Sequence, residues 1–425
     1  MAEKLLVDGG NRLSGSVPIA GAKNSALKLM AASLLASGRT VIRNVPRIVD
    51  CLTMGEVLQH LGAGVDWDGN TVTIDTSTVD SVETPYELVS RMRASIIVLG
   101  PLLARYGRAR VAMPGGCNIG ARNIDLHIRG LERLGASHEY EHGYMEWTAP
   151  RLQGAMISLD FPSVGATENA MMAGVAAQGT TVIENAAREP EIVDLGDFLA
   201  SMGAKIEGAG GTTIEIEGVQ ELRSIEHRVI SDRVETGTFA IAACATHGDV
   251  LLQGARADHL DIPLSKLTES GADVGVESEG IRVRIDRRPS SVDVITLPYP
   301  GFPTDLQPQM MAMLAVAKGP GSIVTENVFE SRFMFVDELK RMGADIRTEG
   351  HHGVIRGVER LSSAPVRALD IRAGAAMVIA ALVAEGTTEI SNVYHLDRGY
   401  EELETKLTAL GAQVRRVKEH SPALT

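Results

Sequence analysis

The sequence is poor in aromatic residues, in cysteine and in positive charge. Seven Phe, seven Tyr and two Trp make up 4% of 425 residues. Cores must therefore be built from small aliphatic side chains. Three cysteines cannot form a disulfide framework, and an odd count fits a reducing compartment, so a cytoplasmic location is expected. Lys and Arg number 41 against 54 Asp and Glu, a net charge of −13. That balance argues against general binding to nucleic acid or to an acidic membrane surface. Any anionic ligand must instead be held by a local cluster of Arg and Lys. The opening residues MAEKLLVDGG contain no apolar signal region. The longest apolar helix candidate is bracketed by Arg372 and Glu385 and is too short to cross a bilayer. Metal-ligand spacing is also missing. His351 and His352 precede a glycine in an expected hairpin turn, and no metal site is expected.

Glycine, by contrast, is abundant, with 44 residues. The apolar and charged fractions, 44% and 22%, are those of an ordinary globular chain, and the length predicts roughly two or three domains. The phrase hydrophobic-Gly-Ala recurs at Leu61-Gly62-Ala63, Leu134-Gly135-Ala136, Met202-Gly203-Ala204, Met342-Gly343-Ala344 and Leu410-Gly411-Ala412, with a polar variant at Ser270-Gly271-Ala272. A helix-period stretch precedes each, and the glycine reads as the stop signal of that helix. Upstream lies a second shared piece, a small-residue helix running into a turn and a short strand, as in AMMAGVAAQGTTVIENA and MVIAALVAEGTTEISNV. The repeating unit reads helix, strand, helix, two strands. Its first helix is apolar nearly all round and should be buried, while its second carries charges such as Asp337, Glu338, Lys340 and Arg341 and should lie outside. Six units predict an α/β protein of two lobes with three repeats each. The expected lobes are residues 22–230, and residues 1–21 with 231–425. A ligand is expected in a cleft between them.

Several segments are poorly explained by packing. In Pro114-Gly115-Gly116-Cys117-Asn118-Ile119-Gly120-Ala121-Arg122 three glycines surround one cysteine ahead of a helix. A helix start and a nearby guanidinium favour anions and also lower a thiol's pKa. Cys51 and Cys244 fall in apolar helical stretches and read as inert. Lys23 and Asn24, in Gly21-Ala22-Lys23-Asn24-Ser25, precede a long helix, where they can hold a phosphate or carboxylate or simply cap it. Arg93, Arg332, Arg372 and Arg398 fall near unit junctions, and guanidinium suits bidentate contact with carboxylate and phosphate. Asp305, in Phe302-Pro303-Thr304-Asp305-Leu306-Gln307, is either a helix cap or a general base.

The long segments PGGCNIGARNIDLHI, GAKNSALKLMAASLL, ENAAREPEIVD, SDRVETGTF, FPTDLQPQ, ENVFESRFM and YHLDRGYEELETKL resemble the UDP-N-acetylglucosamine enolpyruvyl transferase family over essentially the whole chain. The resemblance implies a two-lobed inside-out α/β barrel with buried helices. It implies transfer of enolpyruvate from phosphoenolpyruvate to the 3′-hydroxyl of UDP-N-acetylglucosamine, with phosphate released and no cofactor. Carried over residue by residue, it makes Cys117, Asp305, Lys23 and Arg398 catalytic. Lys23 and Asn24 would hold phosphoenolpyruvate, with Arg122 and Arg398 near its phosphate and Arg332 and Arg372 toward its carboxylate. Arg93, Arg122, Asn123, Ile124, Asp125, Leu126, Ser163, Val164, Asp305 and Val328 would contact the nucleotide sugar. Glu189 and Asp232 match acidic residues near the cleft. The resemblance further implies that an epoxide phosphonate, fosfomycin, alkylates Cys117. The sequence departs from the family's commoner residues at Asn123-Ile124, Phe335, Gly374, Ala376 and Phe161-Pro162. The Gly-Gly-Cys loop and the Ser163 segment argue against the sister enzymes that act on shikimate 3-phosphate.

Overall fold

A computed structural model describes residues 3–113, 124–329 and 331–418. The glycine loop Pro114–Arg122, and with it Cys117, Arg122 and also Asn123, lies outside the described residues. The chain divides into two compact units. One comprises residues 3–20 and 231–418, the other residues 21–113 and 124–230.

The recurring Gly-Ala phrase has one structural meaning throughout. Gly62, Gly135, Gly203, Gly271, Gly343 and Gly411 all adopt left-handed backbone, with φ between 89° and 111°. Each glycine amide donates to the carbonyl three residues back, and each following alanine amide to the carbonyl five back, as in Gly203 to Ala200 and Ala204 to Leu199. This is a Schellman stop. It satisfies carbonyls the helix would otherwise leave open, and only glycine reaches the required φ at little cost. The helix that it ends is the second of each repeat, and a β-hairpin follows in the first five repeats and a single strand in the sixth.

The first helices are Lys23–Ala32, Leu99–Tyr106, Val164–Gly174, Arg233–Ala245, Gln307–Leu314 and Ile371–Val383. Every residue of Gln307–Leu314 is buried, and so are all but two of Ile371–Val383. Small residues permit this density. A Cβ on Gly100 would stand 2.6 Å from the Asn169 carbonyl oxygen, and one on Gly374 only 3.0 Å from Ala368 Cβ. In each unit three such helices form the interior and three four-stranded sheets cover them. The strands alternate accordingly. Ile281 and Val283 are buried while Arg282 and Arg284 are exposed, where they pair with Asp249 at 2.7 Å and Asp273 at 2.6 Å.

The sheets hold one strand more than the repeat unit predicts. A short strand, such as Met156–Ser158 or Val294–Ile295, lies parallel to the first strand of its repeat. Two- and three-residue strands carry too little periodicity to be read from sequence. Two sheets borrow this extra strand from far along the chain. Glu226–Arg228 pairs with Arg39–Arg43, and Ser14–Pro18 pairs with Asp249–Gln253. The sixth repeat is completed by Glu3–Asp8, which lies between Thr387–Ser391 and Gln413–Lys418 and runs antiparallel to both.

The second helices are not uniformly outside. Asp337 and Lys340 are exposed, but Glu338 is buried and paired with Arg341 and Arg367. In Val49–His60 and Pro190–Met202 the buried face includes Asp50, Glu191 and Asp194. Buried carboxylates are costly unless paired, and their partners define the site described next.

Candidate active site

In the unit of residues 21–230, Lys23 is the first residue of its helix. No side chain caps that helix start. The Lys23 ammonium instead meets Asp50 Oδ2 at 2.7 Å, with both side chains nearly excluded from solvent. Ser25, buried two residues on, donates to Asp194, which also accepts from His227 Nε2 at 2.8 Å. Lys28, one turn further, donates to the Asn24 carbonyl at 2.8 Å and lies 3.3 Å from Glu168 Oε2. The turn that carries Lys23 and Asn24 is therefore tied down from several sides. These ties come from the first and third repeats and from the strand that closes the first sheet.

A second cluster lies in the same unit where two helices begin together. Ile124 sits at the N-cap of Asp125–Arg133, and Ser163 Oγ caps Val164–Gly174 by accepting from the Ala166 amide at 3.4 Å. His127 Nδ1 and Asn169 Nδ2 are 2.8 Å apart. A Cβ on Gly165 would approach His127 to 2.9 Å, so the two helices touch at their first turns. Ile124, Asp125, Leu126, Ser163 and Val164 thus form one neighbourhood. Helix N-termini present free amides and positive potential, suited to a diphosphate or a carbonyl. Arg93 opens the Arg93–Val98 turn.

In the other unit, Asp305 lies inside the short Thr304–Leu306 turn and caps neither that turn nor the following helix. Its carboxylate is bracketed. Arg332 Nη2 reaches Oδ1 at 3.0 Å, and Arg372 Nη2 reaches Oδ2 at 3.0 Å. Both arginines are nearly fully buried while Asp305 remains 28% exposed, so the carboxylate is the accessible tip of an internal ion cluster. Burial works against the charge of Arg372, but Asp305, Tyr400 and Asp232 together outweigh it and the guanidinium pKa is raised. Glu326 organises the rest. It accepts from the amides of Val328 at 2.8 Å and Phe329 at 3.1 Å, and from the hydroxyls of Thr296 at 2.9 Å and Thr304 at 3.0 Å. Thr304 in turn accepts from Arg332 Nη1 at 3.1 Å. Val328 is held beside Asp305 through this network.

Arg398 ends the Tyr394–Asp397 turn. The next residue, Gly399, packs so tightly on Ile371 that a Cβ would collide with it, and that Cβ would lie 3.6 Å from Arg372 Nη1. Arg398 and Arg372 therefore sit on adjoining segments. Arg416 clamps the turn with two bonds to Asp397, at 2.7 and 3.0 Å. Of the two acidic residues singled out, Asp232 caps Arg233–Ala245 by accepting from the Val234 and Glu235 amides. Glu189 is buried at the start of Pro190–Met202. Asp50, Asp194, Glu326 and Arg416 were not readable as site residues, because each acts through a partner distant in sequence. Among the described residues no group of three or more His, Cys, Asp or Glu is arranged to hold a metal ion, and no helix is long and apolar enough to cross a membrane.

Six repeats in two units, each with a buried helical interior and clustered cations at its helix ends, describe an enolpyruvyl transferase. Residues 7–407 match the family described as EPSP synthase (3-phosphoshikimate 1-carboxyvinyltransferase), and the chain belongs to this family. Its similarity to particular members is closer. It is 55% identical over 420 residues to UDP-N-acetylglucosamine 1-carboxyvinyltransferase 2 of Carboxydothermus hydrogenoformans, covering 98% of this chain and 100% of that one. It is 52% identical over 417 residues to UDP-N-acetylglucosamine 1-carboxyvinyltransferase of Geobacter metallireducens, with the same coverage. Among solved structures, the enolpyruvyl transferase NikO of Streptomyces tendae superposes with a TM-score of 0.89 at 30% identity, over 98% of this chain and 99% of that one. EPSP synthase of Acinetobacter baumannii, at 18% identity and a TM-score of 0.77 over 98% and 100% of the two chains, shares the fold.

Proposed function

We propose that this chain transfers the enolpyruvyl group of phosphoenolpyruvate to the 3′-hydroxyl of UDP-N-acetylglucosamine and releases inorganic phosphate, the first committed step of peptidoglycan synthesis. The observation that carries this reading is identity of 51–55% over nearly the full chain to relatives named for that reaction. The substrates are phosphorylated metabolites, and the enzyme is assigned to the cytoplasm.

The chemistry follows from charge. The enol carbon C2 of phosphoenolpyruvate is a poor electrophile until C3 accepts a proton, and Cys117 is assigned as the donor. The 3′-hydroxyl then adds to the cationic C2. Its proton becomes strongly acidic as the new C–O bond forms, so a carboxylate held between guanidiniums is still an adequate acceptor, and Asp305 is assigned that role. Loss of a C3 proton and departure of phosphate from C2 regenerate the double bond. Lys23 and Asn24 of one unit are assigned to the phosphoenolpyruvate anion, as are Arg122, Arg332, Arg372 and Arg398. Preorganised cations stabilise the phosphate as it leaves. Arg93, Ile124, Asp125, Leu126, Ser163, Val164 and Val328, with Asn123, are assigned to the nucleotide sugar. No step calls on a metal or organic cofactor.

The test is phosphate release from phosphoenolpyruvate with each acceptor in turn. Release that needs UDP-N-acetylglucosamine and persists in EDTA is expected. Release only with shikimate 3-phosphate, or loss in EDTA, overturns the assignment.

A further inference from the structure

Lys28 and Glu168 form a buried pair that the reaction as written does not use. Lys28 extends from the second turn of Lys23–Ala32 back toward the helix start, where its ammonium donates to the Asn24 carbonyl at 2.8 Å. A cation so near a helix N-terminus opposes the helix dipole, so its placement needs a counter-charge. Glu168, from the Val164–Gly174 helix, supplies it at 3.3 Å. The pair is loose on the acid side. Glu168 is fully buried, and among the described residues neither of its oxygens accepts a hydrogen bond.

We propose that Lys28 is a positioning residue for phosphoenolpyruvate: it locks the Asn24 carbonyl and lends its charge to the Lys23–Asn24 turn to the extent that Glu168 is protonated. This rests on the assignment of Lys23 and Asn24 to that substrate. With Glu168 ionised, the pair is neutral and the turn offers little beyond Lys23. With Glu168 neutral, the Lys28 charge is uncompensated beside the anion site. The surroundings favour such titration in the neutral range. Burial, opposed by Lys28 and reinforced by Glu191 and Glu189, pushes the Glu168 carboxyl up to about 7. Three other elements packed on its helix direct polar groups to Asn169. These are the Gly100 amide, the Ile96 carbonyl and His127.

The sign follows. Anion capture is strengthened below neutrality and weakened above it. The experiment is the KM for phosphoenolpyruvate from pH 6 to 8.5 in wild type, Glu168→Gln, Lys28→Met and Asn24→Ala, with the KM for UDP-N-acetylglucosamine measured alongside. Comparing variants at each pH cancels the titration of phosphoenolpyruvate itself. The ratio of wild-type to Glu168→Gln KM is expected to be near unity at pH 6. By pH 8.5 it should rise about three- to tenfold, the order expected for one nearby charge at an effective dielectric near ~20. Lys28→Met should raise the phosphoenolpyruvate KM at every pH and leave that for the nucleotide sugar unchanged. A merely structural pair would shift both substrates without a pH step. A flat ratio, with Asn24→Ala still raising the KM about tenfold or more, overturns the inference alone. An unchanged KM in Asn24→Ala overturns the substrate assignment of this turn and the inference with it. If Glu168→Gln does not fold, the Lys28→Met comparison decides, and equal effects on both substrates sink the proposal.

Discussion

Asp305 holds two guanidiniums at once, and that fixes where its lone pairs point. A carboxylate free to rotate would serve as a cap. One pinned at both oxygens by buried arginines presents a fixed edge to whatever approaches it. Asp305→Asn keeps the shape and removes the charge. Turnover should fall by several orders of magnitude, while nucleotide-sugar affinity stays within about tenfold, roughly 1.4 kcal/mol. Steady-state kinetics beside a binding isotherm check this, and near-normal turnover would make Asp305 a structural ligand of the arginines. The cysteines invite a second measurement. Cys51 and Cys244 are both buried away from reagents, and burial also pushes the Cys244 thiol up to about 12, so it supplies little thiolate near neutrality. Mass mapping after treatment with an epoxide phosphonate should find the adduct on Cys117 and on neither of the others. At this scale the sequence was only partly legible. Asp305, Arg332 and Arg372 each stand out by motif, yet the arginines are 27 and 67 residues away from the aspartate. No spacing rule brings such residues together; the fold of the fifth repeat and its packing against the sixth do.

At the scale of elements, the same stop recurs six times because every second helix must turn into a strand within two or three residues. Local chemistry wrote it plainly, and it was readable for that reason. The buried faces of the second helices were not, because a helix with Asp or Glu in its first turn looks solvated until its partners are known. Asp50 is such a case, matched to Lys23, and Asp194, one turn further into its helix, is matched to Ser25 with His227. Gly203→Ala isolates the stop from packing, since a Cβ there would meet nothing within 4 Å and only the φ of 111° opposes it. The expected cost is about 1 kcal/mol in denaturant unfolding, with kcat and KM unchanged. A loss of activity without loss of stability would assign this helix end a role beyond stopping.

For the whole molecule, the borrowed strands decide which piece of chain is self-sufficient. All three sheets of residues 21–230 are made within that span, Glu226–Arg228 included. Residues 231–418 lack two strands, which come from Ser14–Pro18 and Glu3–Asp8. The fragment 21–230 should therefore unfold cooperatively by itself, whereas 231–425 should not fold. A permuted chain in which a flexible linker joins residue 425 to residues 1–20 should restore folding to the second piece. Circular dichroism and thermal melts of the three fragments test this, and a cooperative melt of 231–425 alone would show the borrowed strands to be dispensable.

The strand Glu3–Asp8 has a further consequence during synthesis. It leaves the ribosome well ahead of its partner Gln413–Lys418, which follows about 400 residues later. At roughly 5–20 residues per second, the opening segment waits on the order of tens of seconds with its backbone unpaired. The intervening residues 21–230 meanwhile hold every strand they need. Nascent chains of this protein thus carry a finished domain behind an open edge, the kind of edge that recruits wrong partners. The alternating Glu3, Lys4 and Asp8 charges are well placed to keep that edge solvated until its own sheet arrives.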